Sequence, residues 1–175
     1  MGRLIVKYQD RLYNAILKIC GNSDDAAELT QETFVKVLEN IGTFRGQSSF
    51  YTWLFRIGVN LALNFCRRKL RLGMCSLDGS SSAGEQENSS LAANLPDKRE
   101  IDPVAIAQNR ELARQVLAAL EKLEDNQRAI VVLRDIEAMS YEEIAEVLQI
   151  ELGTVKSRLC RARMALRELL QTVWI

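Results

Sequence analysis

Only two prolines, Pro96 and Pro103, occur in this 175-residue chain, and both fall in one central stretch. Proline removes a backbone donor and clashes with the preceding turn, so it ends or kinks a helix. Its absence elsewhere leaves two long blocks open to uninterrupted helix. Both blocks repeat apolar residues at helical spacing, and strand-like alternation is nearly absent. The expectation is an all-α protein made of two small helical domains, residues 1–71 and 104–175, joined by a linker at 72–103. Each block has roughly 70 residues, a size at the marginal end of independent stability.

The central stretch is rich in Ser, Gly, Asn and acidic residues, with large apolar groups too sparse to pack. It reads as a flexible acidic linker. The formal net charge of zero conceals an uneven distribution. Residues 1–75 hold eleven Lys/Arg against six Asp/Glu, residues 76–108 two against six, and residues 109–175 ten against eleven. A nucleic-acid binder need not be basic overall if its cations gather at the contact surfaces.

The first block predicts three helices. One spans about Leu4 to Cys20, with Tyr8, Leu12, Ile16 and Ile19 turned inward, and stops at Gly21-Asn22. A second, opening at Ser23 or Asp24 and reaching Ile41, carries an inner stripe of Ala26, Thr30, Thr33/Phe34 and Val37. Glu28, Glu32, Val35 and Glu39 lie on its other face, which an ordinary solvated surface would also explain. The third runs from Phe50 to about Leu70 with Trp53, Leu54, Ile57, Leu61 and Phe65 inside. It ends in Arg67, Arg68, Lys69 and Arg71. Cations there suit the helix dipole alone. Alongside Tyr51, Trp53 and Asn60 they could also grip phosphates while aromatic and amide groups address unstacked bases.

In the second block, helices are expected at Val104–Lys122 and Asn126–Ile136, followed by a helical hairpin over Ser140–Leu170. Ser140 and Glu143 have the spacing of a capping box. Gln149 to Gly153 form a turn, and Thr154 is the expected cap of the next helix. There Val155, Leu159, Ala162, Leu166 and Leu169 recur at steps of four, three, four and three, one buried stripe. Lys156, Ser157, Cys160, Arg161 and Arg163 fall off it. Exposed cations on a hairpin are often only a solvated face. Here, however, the first helix shows Glu142, Glu143 and Glu146 while the second is nearly all positive until Glu168. A surface built for solubility would mix the signs. DNA binding by a helix-turn-helix is the better reading.

Other functions find little footing. No histidine is present, which removes the commonest general base. No phosphate-binding glycine loop occurs, and Cys20, Cys66, Cys75 and Cys160 are scattered without a C-x-x-C pair. These are expected to be reduced thiols. No catalytic residue, metal or cofactor is assigned, and an enzyme is not expected. No apolar run is long enough to cross a bilayer, so we expect a cytoplasmic protein without membrane insertion.

Two blocks carry a resemblance. DDAAELTQETFVKV with FRGQSSFYTWLFRIGVNLALNFCRR resembles region 2, and QRAIVVLRDIEAMSYEEIAEVLQIELGTVKSRLCRARMALREL resembles region 4, of the extracytoplasmic-function (ECF) sigma factors of the sigma-70 family. Both blocks, in this order and across such a linker, are a specific combination. The resemblance implies a promoter-specificity subunit whose partners are core RNA polymerase and promoter DNA, with an anti-sigma factor as a further partner. It implies docking of Glu28, Leu29, Gln31, Glu32 and Phe34 on the clamp helices of the largest polymerase subunit. Region 4 would meet the flap of the second-largest. Phe44, Arg45, Ser49, Phe50, Trp53, Arg56, Asn60, Asn64, Arg67 and Arg68 would melt and read the −10 element. Tyr141, Thr154, Lys156, Ser157, Cys160, Arg161 and Arg163 would meet the −35 duplex. Arg161 is first choice for a base contact, with Lys156 and Arg163 on phosphate. Arg158 borders the buried stripe and is expected to pair with Glu142 or Glu146.

The chain departs from the family in having Glu124 where proline is frequent and Gln149 where glycine is frequent. A left-handed Gln149 would cost up to about 1 kcal/mol. The alternative reading is a free-standing helix-turn-helix regulator, which has no need of the acidic helix at 24–38. Because a linker of this kind cannot fix the geometry of two readers, core polymerase is expected to set it.

Overall fold

A computed structural model describes residues 2–75 and 103–171. The expected linker lies largely outside the described residues, which are helices and connecting turns without a strand. The first block forms α1 (Gly2–Cys20), α2 (Ser23–Asn40), a 3-10 turn (Ile41–Thr43) and α3 (Phe50–Cys75). The second forms α4 (Pro103–Glu121), α5 (Asp125–Val131), a π-helical turn (Val132–Ile136), α6 (Tyr141–Leu148) and α7 (Leu152–Gln171). Helix α3 thus runs about five residues past the expected end at Leu70 and takes in 72–75, which the sequence placed in the linker.

The first bundle is set by its turns. Gly21, at φ +73°, stops α1 in the left-handed conformation, and its N–H reaches the Leu17 carbonyl at 2.8 Å. Helix α2 opens at Ser23, one of the two starts expected, and Asn22 caps it: its side-chain oxygen accepts from the Asp24 and Asp25 amides at 2.9 and 3.0 Å. Thr30 and Thr33 are buried on α2, and each hydroxyl donates back to the carbonyl four residues earlier, so no polar group is stranded. Where α1 and α2 converge on α3 there is room only for Gly58. A Cβ there would stand 2.8 Å from Leu12 Cδ1 and 3.3 Å from Thr33.

The second bundle depends on Arg128, which the sequence did not single out. Its side chain donates to the carbonyls of Leu120 (2.9 Å), Glu121 (2.7 Å) and Leu123 (2.8 Å), which close the α4–α5 corner. These are end-of-helix and loop carbonyls, of which Leu120 also accepts the Leu123 amide at 3.1 Å, and the guanidinium fork gathers all three. Further on, the Ser140–Glu143 capping box forms with both bonds present. Gln149 takes the left-handed conformation (φ 52°, ψ 49°) that glycine would otherwise supply. Thr154 does not cap α7. The helix begins at Leu152, and the Glu151 carbonyl accepts from the Thr154 and Val155 amides, placing Thr154 inside the first turn.

The two bundles pack directly on one another, although the sequence offered only a linker between them. Helix α3 packs on α1 and α2 of its own bundle and on α5 and α6 of the other, and α1 also touches α4, α5 and the π-helical turn. Phe55, Val59 and Ala62 are consequently buried alongside Trp53 and Leu54, while Ile57, Leu61 and Phe65, expected inside, are only half-buried. One apolar core runs through both modules, from Leu12 and Ile16 to Ile130, Leu133, Ile144 and Val147.

Candidate nucleic-acid interface

Helix α7 has the expected polarity. Val155, Leu159 and Ala162 are buried and Leu166 and Leu169 half-buried, so α7 sits on its apolar stripe. Lys156, Ser157, Cys160, Arg161 and Arg163 are exposed along the opposite side. Lys156 and Ser157 lie in the first turns, with the Ser157 hydroxyl donating to the Thr154 carbonyl at 3.1 Å. Arg163 is held by Asp135, with Nε donating to Oδ2 at 3.2 Å, and that bond pushes its pKa further up. Fixed in this way it offers a rigid positive edge, suited to a phosphate more than to searching base edges. Tyr141 is half-buried beneath the Arg134 guanidinium, 4.8 Å from its ring centroid.

The second surface lies at the start of α3. Rings of Phe44, Phe50 and Trp53 meet at centroid separations of 5.2 to 6.0 Å, forming one aromatic cluster with Tyr8 and Tyr51. Trp53 is 6% exposed, so it serves as the floor of that cluster while Phe44 and Phe50 show partial faces. Ser49 is exposed and begins α3, its Oγ accepting from the Thr52 amide at 3.0 Å. Arg45, Asn64, Arg67 and Arg68 are exposed, and Asn60 and Arg56 half-exposed. An aromatic floor edged by amides and cations can stack an unstacked base and hold its backbone.

A third surface is the outer side of α2. Glu28, Gln31 and Glu32 are exposed there and Phe34 half-buried. Leu29 is 3% exposed and supports the face from beneath. Between the acidic groups stand Val35 and Leu38, 53% and 48% exposed. Exposed apolar groups among carboxylates suit a protein partner better than solvent. Leu38 was missed in the sequence, where an apolar residue out of register with the inner stripe was the available signal.

Residues 4–72 match the family Sigma-70 region 2, and residues 113–166 match Sigma-70, region 4. The RNA polymerase sigma-H factor of Pseudomonas aeruginosa is 34% identical over 96% of this chain and 84% of its own length. The ECF RNA polymerase sigma-E factor of Escherichia coli is 34% identical over 93% and 82%. The chain belongs to the ECF sigma factors. It also matches the ECF RNA polymerase sigma factor SigE of Mycolicibacterium smegmatis, at 37% identity over 95% of this chain but spanning 60% of that relative's length. Among solved structures, CnrH in complex with the cytosolic domain of CnrY superposes with a TM-score of 0.66 at 27% identity, covering 98% of this chain and 87% of that one. The sigma factor RpoE of Bartonella quintana, solved with the anti-sigma factor NepR, gives 0.71 at 24% identity over 97% and 96%, a likeness of fold.

Within this sigma factor the two modules do not stand apart. Arg56 faces Glu146 at 3.7 Å, in place of the pairing of Glu146 with Arg158 that the sequence had left open. Arg67 donates to Asn126 Oδ1 at 3.3 Å. Glu137, 7% exposed, accepts from Tyr51 at 2.7 Å and Arg11 at 3.2 Å. Burial, and next the hydrogen bond to Glu137, push the Tyr51 phenol pKa up. None of these cross-module partners of α3 had a signal in the sequence, since each is an ordinary polar residue at an ordinary helical position.

Proposed function

We propose that this sigma factor acts only with core RNA polymerase, docking through the outer face of α2 and reading promoter DNA with α7 and the start of α3. In this reading Glu28, Gln31, Glu32, Phe34, Val35 and Leu38 meet the clamp helices of the largest subunit, and region 4 meets the flap of the second-largest. Arg161 and Ser157 address −35 base edges, with Lys156, Arg163 and Tyr141 on the backbone. Phe44, Phe50 and Asn64 receive −10 bases over the Trp53 floor, and Arg45, Arg56, Arg67 and Arg68 hold the strand. Opening the duplex costs a few kcal/mol per base pair, which stacking and amide hydrogen bonds offset.

The observation that carries this reading is the presence, in one chain, of a cationic recognition helix and an aromatic-floored strand site. A free-standing operator binder needs the first and not the second. Among the described residues no helix is long and apolar enough to cross a membrane, and work with polymerase and DNA places the protein in the cytoplasm. Two structural neighbours are in complexes, one with the cytosolic domain of CnrY and one with the anti-sigma factor NepR, and an anti-sigma partner is the expectation here.

Run-off transcription with purified core polymerase, on promoters selected from a random library, tests the reading. Promoter-specific transcripts are expected. Tight duplex binding by the chain alone, with no transcript from any selected template, would overturn it.

A further inference from the structure

Two thiols from different helices of the first module meet where α1 ends. Cys20 is the last residue of α1, just before the left-handed Gly21, and Cys66 lies in α3. Cys66 is 9% exposed and Cys20 half-buried. The Cys66 thiol donates to the Ile19 carbonyl at 3.9 Å, which sets its sulfur against the residue preceding Cys20, and the two thiols share a hydrogen bond. At 1.5 Å of rise per residue, Cys66 stands about 20 Å along α3 from Trp53, so the pair is separate from the aromatic floor. Cys20 sits at a helix end, where the backbone gives more readily than in mid-helix. The sulfurs therefore have room to close to the ~2 Å of a disulfide.

The surroundings divide the roles between the two thiols. The hydrogen bond with Cys20 holds the Cys66 thiol below its ordinary value, against burial and Asp125, and Arg128 and Lys69 add to the lowering. The same bond, and then burial, raise Cys20. Both cations are fixed in place: Lys69 Nζ stands 3.0 Å from Asp25 Oδ2, and Arg128 donates to the Ile19 carbonyl at 2.6 Å. A thiol that ionises readily, with a second thiol beside it to resolve the product, is the arrangement of a redox-responsive pair. Consuming the Cys66 thiol strands no acceptor, because Arg128 keeps the Ile19 carbonyl satisfied.

We propose that Cys20 and Cys66 form a redox modification site, a dithiol that takes a peroxide as its oxidant and closes reversibly to a disulfide stapling the end of α1 to α3. Cys66, having given its proton to solvent, attacks one oxygen of the peroxide. The O–O bond breaks, the released hydroxide takes up a proton and leaves as water, and Cys66 becomes a sulfenic acid. The Cys20 sulfur then attacks the sulfenic sulfur; the S–O bond breaks, the S–S bond forms, and a second water leaves with the Cys20 proton. The two thiols together give up two electrons and two protons, and hydrogen peroxide is reduced to water. In a reducing cytoplasm such disulfides are transient and serve sensing. The staple encloses residues 21–65, so it constrains the unfolded chain and leaves the exposed side chains of α7 untouched.

The test needs no substitution at first. Reduced full-length chain is treated with a mild dose of hydrogen peroxide, blocked with N-ethylmaleimide in denaturant and digested without reductant for mass spectrometry. The peptide holding Cys20 should appear joined to the one holding Cys66, blocked thiols should fall from four per chain to two, and dithiothreitol should restore them. The oxidised chain should melt about 6–15 °C higher than the reduced one. Linkage of either residue to Cys75 or Cys160 instead, no linkage at all, or an oxidised chain that melts no higher overturns the staple. Two variants check the order of attack. With Cys20→Ser, the Cys66 sulfenic acid has no resolving thiol and should be trapped by dimedone; with Cys66→Ala, Cys20 should give no adduct at the same dose. The reverse pattern overturns the assignment of Cys66 as the attacking thiol. None of these readouts depends on promoter recognition, so the result stands or falls apart from the sigma reading.

Discussion

Replacing Arg128 with Met keeps the aliphatic stem but removes a guanidinium that makes four hydrogen bonds to main-chain carbonyls, at 2.6 to 2.9 Å. Asp125 stands 3.7 Å away and loses its cation as well. Bonds to charged groups contribute about 1.5–3 kcal/mol each but do not add when they share one donor group. Glu121 lies at the surface and its carbonyl can rehydrate, whereas the bonds to Leu120, Leu123 and Ile19 are buried. Loss of one partner from such a buried cluster is expected to destabilise the chain by about 3–5 kcal/mol, a large share of the ~5–15 kcal/mol typical of a folded domain. Urea unfolding followed by circular dichroism is the assay. With a slope of about 2 kcal/mol/M, the midpoint should fall by roughly 1.5–2.5 M. Arg128→Lys should recover little, because an ammonium cannot reach several carbonyls in one plane. The bond to Ile19 crosses between modules, so amides at the end of α1 should also exchange faster. A loss below about 1 kcal/mol for Arg128→Met would refute the idea that this side chain organises the α4–α5 corner.

Glycine substitutions should differ in sign. Gly58→Ala drives a Cβ to 2.8 Å from the buried Leu12 and should lower thermal stability by about 1–3 kcal/mol, whereas Gly153→Ala meets nothing within 4 Å and should gain up to about 1 kcal/mol. A brief iodoacetamide pulse read by mass spectrometry should modify exposed Cys160 well before Cys20. A hydrogen bond to Cys66, and then burial, push the Cys20 pKa up and reduce its reactive thiolate; equal labelling would contradict this. In run-off assays over promoter variants, Arg161→Ala should lose activity at one −35 position, by about 1–3 kcal/mol of discrimination, and Arg68→Ala should weaken all promoters alike. Equal, sequence-independent losses for both would remove the division between base reading and backbone holding. A double-mutant cycle on Thr52→Val and Glu143→Ala should give a coupling of about 0.5–1.5 kcal/mol in urea unfolding; no coupling would mean the 3.3 Å contact holds nothing.

Local structure was legible wherever it was encoded by neighbours in sequence. The capping box at Ser140 and Glu143, the stop at Gly21 and the buried stripe of α7 each depend on residues within a few turns, and each formed as read. Even the unfavourable Gln149 kept its left-handed backbone, because the turn geometry between α6 and α7 demands it. The start of α7 was misread by three residues, since threonine favours a cap but Glu151 already supplies the accepting carbonyl. What could not be read was anything set by contact across the linker. Arg128 and Glu137 are charged residues in a helical pattern, and nothing adjacent marks them for burial. Helix α3 has apolar residues round more than one face, and that was the available hint that it packs on both sides.

Glu143 links these two levels. Its Oε2 accepts the Ser140 amide at 2.8 Å and so starts α6, while its Oε1 accepts Thr52 across the module boundary. The start of α6 is acidic for a local reason, since carboxylates near a helix N-terminus oppose the positive end of its dipole. Once the modules meet, Glu143 faces the Thr52 hydroxyl of α3, while Arg56 meets Glu146 further along α6 and Arg11 meets Glu137 before it. The cap survives when the modules part, because its two bonds lie within residues 140–143. What opening removes are the contacts to Arg11, Tyr51, Thr52 and Arg56, several of them long or partly exposed. The start of α6 and the contacts between modules are thus separable in energy, and the cap does not depend on the packing of one module on the other.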